Sequence, residues 1–214
     1  MRSDYVEREA LVLLFSAMTR ENALAVRVSL LTGLRIGDVL ALRPSDVSDD
    51  GTISIVCQKT GKPFSGNVDA KTLRELRASS NSRWVFPSPV DGNKHRTRQA
   101  VWRNIKNAVA RCGMRRNITP HTARKVYAVE TFKKRGLNAV QTELQHDRVT
   151  TSMLYAFADA ITAEASRDET GTASGSAVAS AFCRGLVLAL GGEARILTAV
   201  ETALAEARNA NGRS

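Results

Sequence analysis

Residues 49–68 read DDGTISIVCQKTGKPFSGNV. Elsewhere most apolar residues recur at intervals of three and four; here the period changes. Asp49-Asp50-Gly51 is a turn, and residues 52–57 (TISIVC) are β-branched and alternating. Lys59-Thr60-Gly61-Lys62 is a second turn, and residues 63–68 supply a returning strand. Alternation bounded by turn residues is the signature of a hairpin. The chain is therefore expected to be mostly α with a small antiparallel β-sheet, an α+β fold.

Upstream, residues 5–47 read as helical: Val6, Ala10, Leu13 and Leu14, then Leu24, Val28 and Leu31, fall on helical spacing. Gly33 and Gly37-Asp38 place a turn between helices, and Pro44-Ser45-Asp46 gives a turn or helix start. Downstream, Val101, Ile105, Ala108 and Cys112 form one stripe on a helix over 96–112, with Trp102 and Val109 beside it. Gly113 and Pro120 punctuate, and further helices are expected over 121–135, 138–145 and 150–158. Residues 170–176 (TGTASGS) read as a linker before two Ala/Leu-rich helices, 177–190 and 193–208. This divides the chain into a domain over 1–160 and a linker plus helical tail over 161–214. Val178, Phe182, Leu186 and Leu190 form an apolar stripe in that tail, suited either to a neighbouring protomer or to its own domain.

The 214 residues carry 31 Lys/Arg against 21 Asp/Glu, and the surplus is unevenly placed. Residues 94–135 hold 13 basic side chains and one acid, Glu130, whereas residues 160–214 are nearly balanced. Such a surface attracts polyanions, and nucleic acid is the commonest. Three cysteines, none in a C-x-x-C pair, argue against a disulfide scaffold or zinc ribbon. No apolar run reaches a membrane span, and the N-terminus is a poor signal peptide, so a cytoplasmic, non-membrane protein is expected. The histidines form no H-E-x-x-H, Lys59–Lys62 lacks the upstream glycine of a phosphate loop, and no G-x-S-x-G is present. No metal or cofactor is expected.

A scattered set of residues stands in a fixed order: Arg35 in TGLRIGDVLAL, Lys59 in QKTGKP, His121 and Arg124 in PHTARKVYA, His146 in LQHD, and Tyr155 in SMLYAF. In order, spacing and context, residues 5–158 resemble the catalytic domain of the tyrosine recombinase (phage integrase) family. The chemistry has its own logic. Strand transfer at a phosphodiester needs a nucleophile, an acid for the leaving oxygen, and cations for the developing phosphorane charge. Tyr155 suits the first, and two guanidinium forks, Arg35 and Arg124, match two non-bridging oxygens.

The resemblance implies that Lys59 protonates the 5′ oxygen, His121 helps move the tyrosine proton, and His146 donates to the scissile phosphate. It implies that Asp38 orients Arg35 or His121. It also implies a 3′-phosphotyrosyl intermediate, and a tetramer on double-stranded DNA assembled with or without accessory DNA-bending proteins. DNA contacts are expected from Arg96, Arg98, Arg103, Lys106, Arg115, Arg116 and Lys125. Arg35 falls so early that the sequence reads as a short single-domain member or a catalytic piece of a longer chain. Ala123, Lys125 and Gln145 depart from the family's usual H-x-L-R-H and L-G-H. Those departures keep open a recombinase-derived DNA-binding protein without catalysis, and the shared chemistry keeps open a type IB topoisomerase.

Overall fold

A computed structural model describes residues 3–144. In order, the elements are α1 (Arg8–Ser16), α2 (Arg20–Thr32), α3 (Ile36–Leu40), a 3-10 turn (Pro44–Asp46), β1 (Thr52–Val56), β2 (Pro63–Asn67), α4 (Ala70–Ser79), α5 (Arg98–Arg111) and α6 (Pro120–Leu144). The mostly helical chain carries a single antiparallel pair of strands among the described residues, as the change of period predicts. The register runs from Thr52↔Asn67 to Val56↔Pro63. One further backbone bond, from Cys57 N to Lys62 O (3.0 Å), carries the ladder to the edge of the Lys59 turn.

At the centre lies α2. Leu24, Ala25, Val26, Val28 and Leu30 are all buried, so apolar side chains on several faces meet neighbours. Those neighbours are α6, α3, α4, α1 and β2. A helix apolar on most sides belongs inside a core, because only burial there removes all that surface from water. The flanking helix α1 differs from its expected stripe. It buries Leu11 and Leu14, while Leu13 is 58% exposed. In α5, Val101, Ile105 and Ala108 face the core as the spacing requires, but Trp102 projects outward, 49% exposed. Side-chain caps start two helices: Asp69 accepts from Thr72 N (2.9 Å) before α4, and Thr97 from Ala100 N (3.1 Å) before α5.

The two helices expected over 121–135 and 138–145 are the two parts of α6. Gly136 separates them with φ 78° and ψ −176°, a region essentially reserved for glycine. The start of α6 is tied to the beginning of the chain. Asp4 N donates to Asn117 O (3.0 Å), Asn117 N to an Asp4 carboxylate oxygen (2.7 Å), and Thr122 Oγ1 to Asp4 O (3.2 Å). The expected helix over 150–158, the linker and the two tail helices lie outside the described residues. No described helix is long and apolar enough to cross a membrane.

Candidate active site

The site grows from the end of α2. Gly33 caps that helix in the left-handed region (φ 71°), turning the chain into a short loop. Buried hydroxyls hold the loop: Ser29 Oγ donates to Leu34 O (2.6 Å), and Thr32 Oγ1 accepts from Leu34 N (3.3 Å). Arg35 then begins α3, half-buried, with an extended backbone (φ −66°, ψ 142°). Asp38 is buried in that short helix, and its Oδ1 accepts from Gln58 N (3.0 Å), the residue before Lys59. The carboxylate therefore fastens the hairpin turn to α3. No hydrogen bond joins it to Arg35 or His121, the partners expected from the sequence, and its Oδ2 is buried without a partner.

Arg124 approaches from α6 and is 3% exposed. Its Nη1 donates to Gly33 O and its Nη2 to Leu144 O (2.8 Å). One guanidinium thus joins the loop before Arg35, the first part of α6, and the end of α6. Burial, and then the nearby charge of Arg35, lower its pKa to about 10. Even so lowered, it stays charged at neutral pH. Cys57 is buried among Asp38, Arg35 and Arg124; burial, then the Asp38 charge, push its thiol up, so it is not poised as a nucleophile.

His121 lies one turn before Arg124, its backbone N–H donating to Thr119 Oγ1 (3.2 Å). The residue reaches solvent, yet desolvation of the ring, and then the charges of Arg124, Lys125, Arg35 and Lys59, push its pKa from 6.5 down to about 4. At pH 7 it is a neutral imidazole able to accept a proton. The charges within range of that ring thus come from three separated parts of the chain, Arg35, Lys59 and the start of α6. Lys59 is exposed on its turn. His146 and Tyr155 lie outside the described residues. Among the described residues no group of His, Cys, Asp or Glu could hold a metal ion.

The expected DNA contacts sort by exposure. Arg98, Arg103, Arg115 and Arg116 are exposed. Arg98 lies over α3, its Cδ 3.6 Å from where a Cβ on Gly37 would stand. Arg96 is half-buried. Lys106 is half-buried too; its ammonium donates to Asn117 Oδ1 and sits 5.6 Å from the Trp102 ring centre. Lys125 requires a correction. It is 1% exposed and its ammonium donates to Ser3 O, so it is a structural cation beneath the surface.

Two features were missed by sequence reasoning. Arg43 stacks on Trp84 at 5.4 Å, and with Ser45, Ser82 and Arg83 lines a cavity of about 430 Å³ outside the basic window. Tyr127 packs against Gly33 and donates to Glu143 Oε2 (2.6 Å). Its place three residues after Arg124, on the same helical face, is the only signal the sequence offered.

The profile of the phage integrase family matches residues 5–160. "Tyrosine recombinase XerD" of Rhizobium meliloti (strain 1021) is 30% identical over 134 residues, 58% of this chain and 43% of its own length. A lambda integrase(75–356) dimer bound to a COC′ core site superposes with a TM-score of 0.61 at 20% identity, covering 73% of this chain and 60% of that one. A lambda integrase tetramer bound to a Holliday junction gives 0.60 at 20% identity, covering 71% and 47%. The chain spans about half the length of the curated relatives it matches.

Proposed function

The chain belongs to the phage integrase family, and on that premise we propose that it is a site-specific DNA recombinase working through a 3′-phosphotyrosyl intermediate on Tyr155. One observation supports the reading: Arg35, Lys59 and the buried Arg124 stand close enough to His121 for their charges to act on its ring.

In this reading the Tyr155 oxygen attacks the scissile phosphorus, an O–P bond to the phenol forms, and the P–O5′ bond breaks. The phenolic proton passes to the neutral His121 ring, and the Lys59 ammonium gives a proton to the departing 5′ oxygen. Arg35 binds a non-bridging oxygen from the outer side. Arg124, almost wholly buried and charged at neutral pH, supplies positive charge from beneath the site. Donors fixed before the reaction lower the barrier most, about 3 to 4 kcal/mol for each one removed. The linkage stores the energy of the broken bond, and a 5′-hydroxyl attacking it reverses every step. His146 completes the phosphate contacts. Arg98, Arg103, Arg115 and Arg116 grip backbone phosphates, and pairs of protomers assemble into a tetramer on two DNA sites.

The test is covalent capture from a pool of randomised duplexes, each nicked so that the 5′-hydroxyl is lost by diffusion. Wild type is expected to give a protein–DNA adduct on a denaturing gel, and Tyr155→Phe none. No adduct from wild type, or an adduct that persists in Tyr155→Phe, refutes the proposal. Adducts that lead only to changed linking number, without recombined junctions, would make it a topoisomerase.

A further inference from the structure

Tyr127 belongs to no part of the chemistry above, yet it touches three parts of the site at once. Its ring is packed so closely on Gly33 that a Cβ there would stand 2.6 Å from Cδ1 and Cε1. The same Cβ would stand 2.9 Å from a Leu144 methyl. Its hydroxyl donates to Glu143 Oε2 (2.6 Å). The other Glu143 oxygen takes Arg135 Nη1 at 2.5 Å. Burial and the adjacent carboxylate push the phenol up to about 12, so it stays a donor at any working pH.

These contacts close a loop. Past Gly136 the helix axis breaks, so the direction of residues 137–144 calls for a restraint from side chains as well as from the backbone. Glu143, clamped between Tyr127 and Arg135 from the first part of α6, supplies that restraint. Its neighbour Leu144 then offers its carbonyl to Arg124. His146 follows Leu144 by two residues and Tyr155 by eleven. A charged carboxylate, half-buried and bonded on both oxygens, is a directional anchor, since each bond fixes an angle as well as a distance.

We propose that Tyr127, through Glu143 and Arg135, is a positioning residue of the recombination reaction, setting the end of α6 against Arg124. The inference rests on the proposed function for its catalytic half only.

The test has two arms on the full chain. Amide hydrogen exchange without DNA is read first, in Tyr127→Phe, Glu143→Gln and the double variant. The expected result is exchange of residues 137–144 about tenfold faster in each, the size of one hydrogen bond to a charged group, with no larger change in the double. Residues 20–32 should exchange at the wild-type rate. The second arm measures adduct formation at saturating captured duplex. All three variants should be slowed about tenfold while their DNA affinity stays within twofold of wild type. Unchanged exchange in 137–144 overturns the inference, whatever the activity. So do additive effects in the double variant, and so does a loss of DNA affinity matching the loss of rate, which would mark a general packing defect. A wild type that forms no adduct would refute the recombinase reading, and exchange would still decide whether the clamp exists.

Discussion

Replacing Gly33 by alanine perturbs the site at its narrowest point. Two penalties follow from its surroundings. The backbone sits at φ 71°, where an L side chain costs about 1–2 kcal/mol. The new Cβ would press on the Tyr127 ring at 2.6 Å and on Leu144 at 2.9 Å, and overpacking of that kind costs about 1–3 kcal/mol more. The sum is about 2–5 kcal/mol. Gly113 provides the comparison: its φ is 64°, and nothing lies within 4 Å of a Cβ placed there. Gly113→Ala should carry the backbone penalty alone, and any gain from stiffening the unfolded chain is common to both variants. The difference between them, about 1–3 kcal/mol, isolates the ring contact. Urea unfolding with matched slopes measures it. Because Gly33 O accepts from Arg124, and Arg35 lies two residues on, adduct formation should fall in Gly33→Ala and not in Gly113→Ala. Equal stability losses in the two variants would refute the reasoning.

Other expectations follow from single residues. His121 titrates near 4 in the folded protein against 6.5 as the ordinary value, so between these the unfolded chain binds more protons. Wild type should lose stability as pH falls through that window, and His121→Gln should lose less; parallel urea midpoints at about pH 7.5 and about pH 5 would contradict it. Lys125→Ala should cost about 2–3 kcal/mol and leave the salt dependence of DNA binding alone, whereas Arg115→Gln and Arg116→Gln should each lower the log–log salt slope by about one. A change in slope for Lys125→Ala would restore it to the DNA surface. Arg124→Lys keeps the charge but cannot reach both Gly33 O and Leu144 O. Unfolding should become about 3 kcal/mol easier and adduct should vanish; a stable variant would mean the carbonyls do not depend on the fork.

The hairpin, the stop at Gly33, the apolar stripe of α5 and the break near Gly136 were legible because each is encoded within a few neighbouring residues. Alternation, left-handed glycine and four-residue spacing are local signals. What stayed hidden depends on distant partners. Nothing near Lys125 says that Ser3 will cap its ammonium, and by charge alone it looks like its exposed neighbours Arg115 and Arg116. Nor does Asp38 announce that its carboxylate will accept the amide of Gln58, twenty residues away. Leu13 fits a helical stripe in sequence, yet α1 is rotated so that Leu11 and Leu14 take the core side. That Arg35, Lys59, His121 and Arg124 belong together is carried by their order and spacing along the chain; periodicity alone would have left them three unrelated cations and a ring.

The stitching of Ser3 and Asp4 to Asn117, Thr122 and Lys125 has a practical corollary. Whatever is fused ahead of Ser3 emerges beside the turn of α6 that presents His121 and Arg124. An affinity tag there pulls on the hinge pin of α6, and stripping off those first residues removes the carbonyl to which the Lys125 ammonium donates. Purification handles therefore belong elsewhere on the chain, and activity lost on tagging the front would report leverage rather than chemistry.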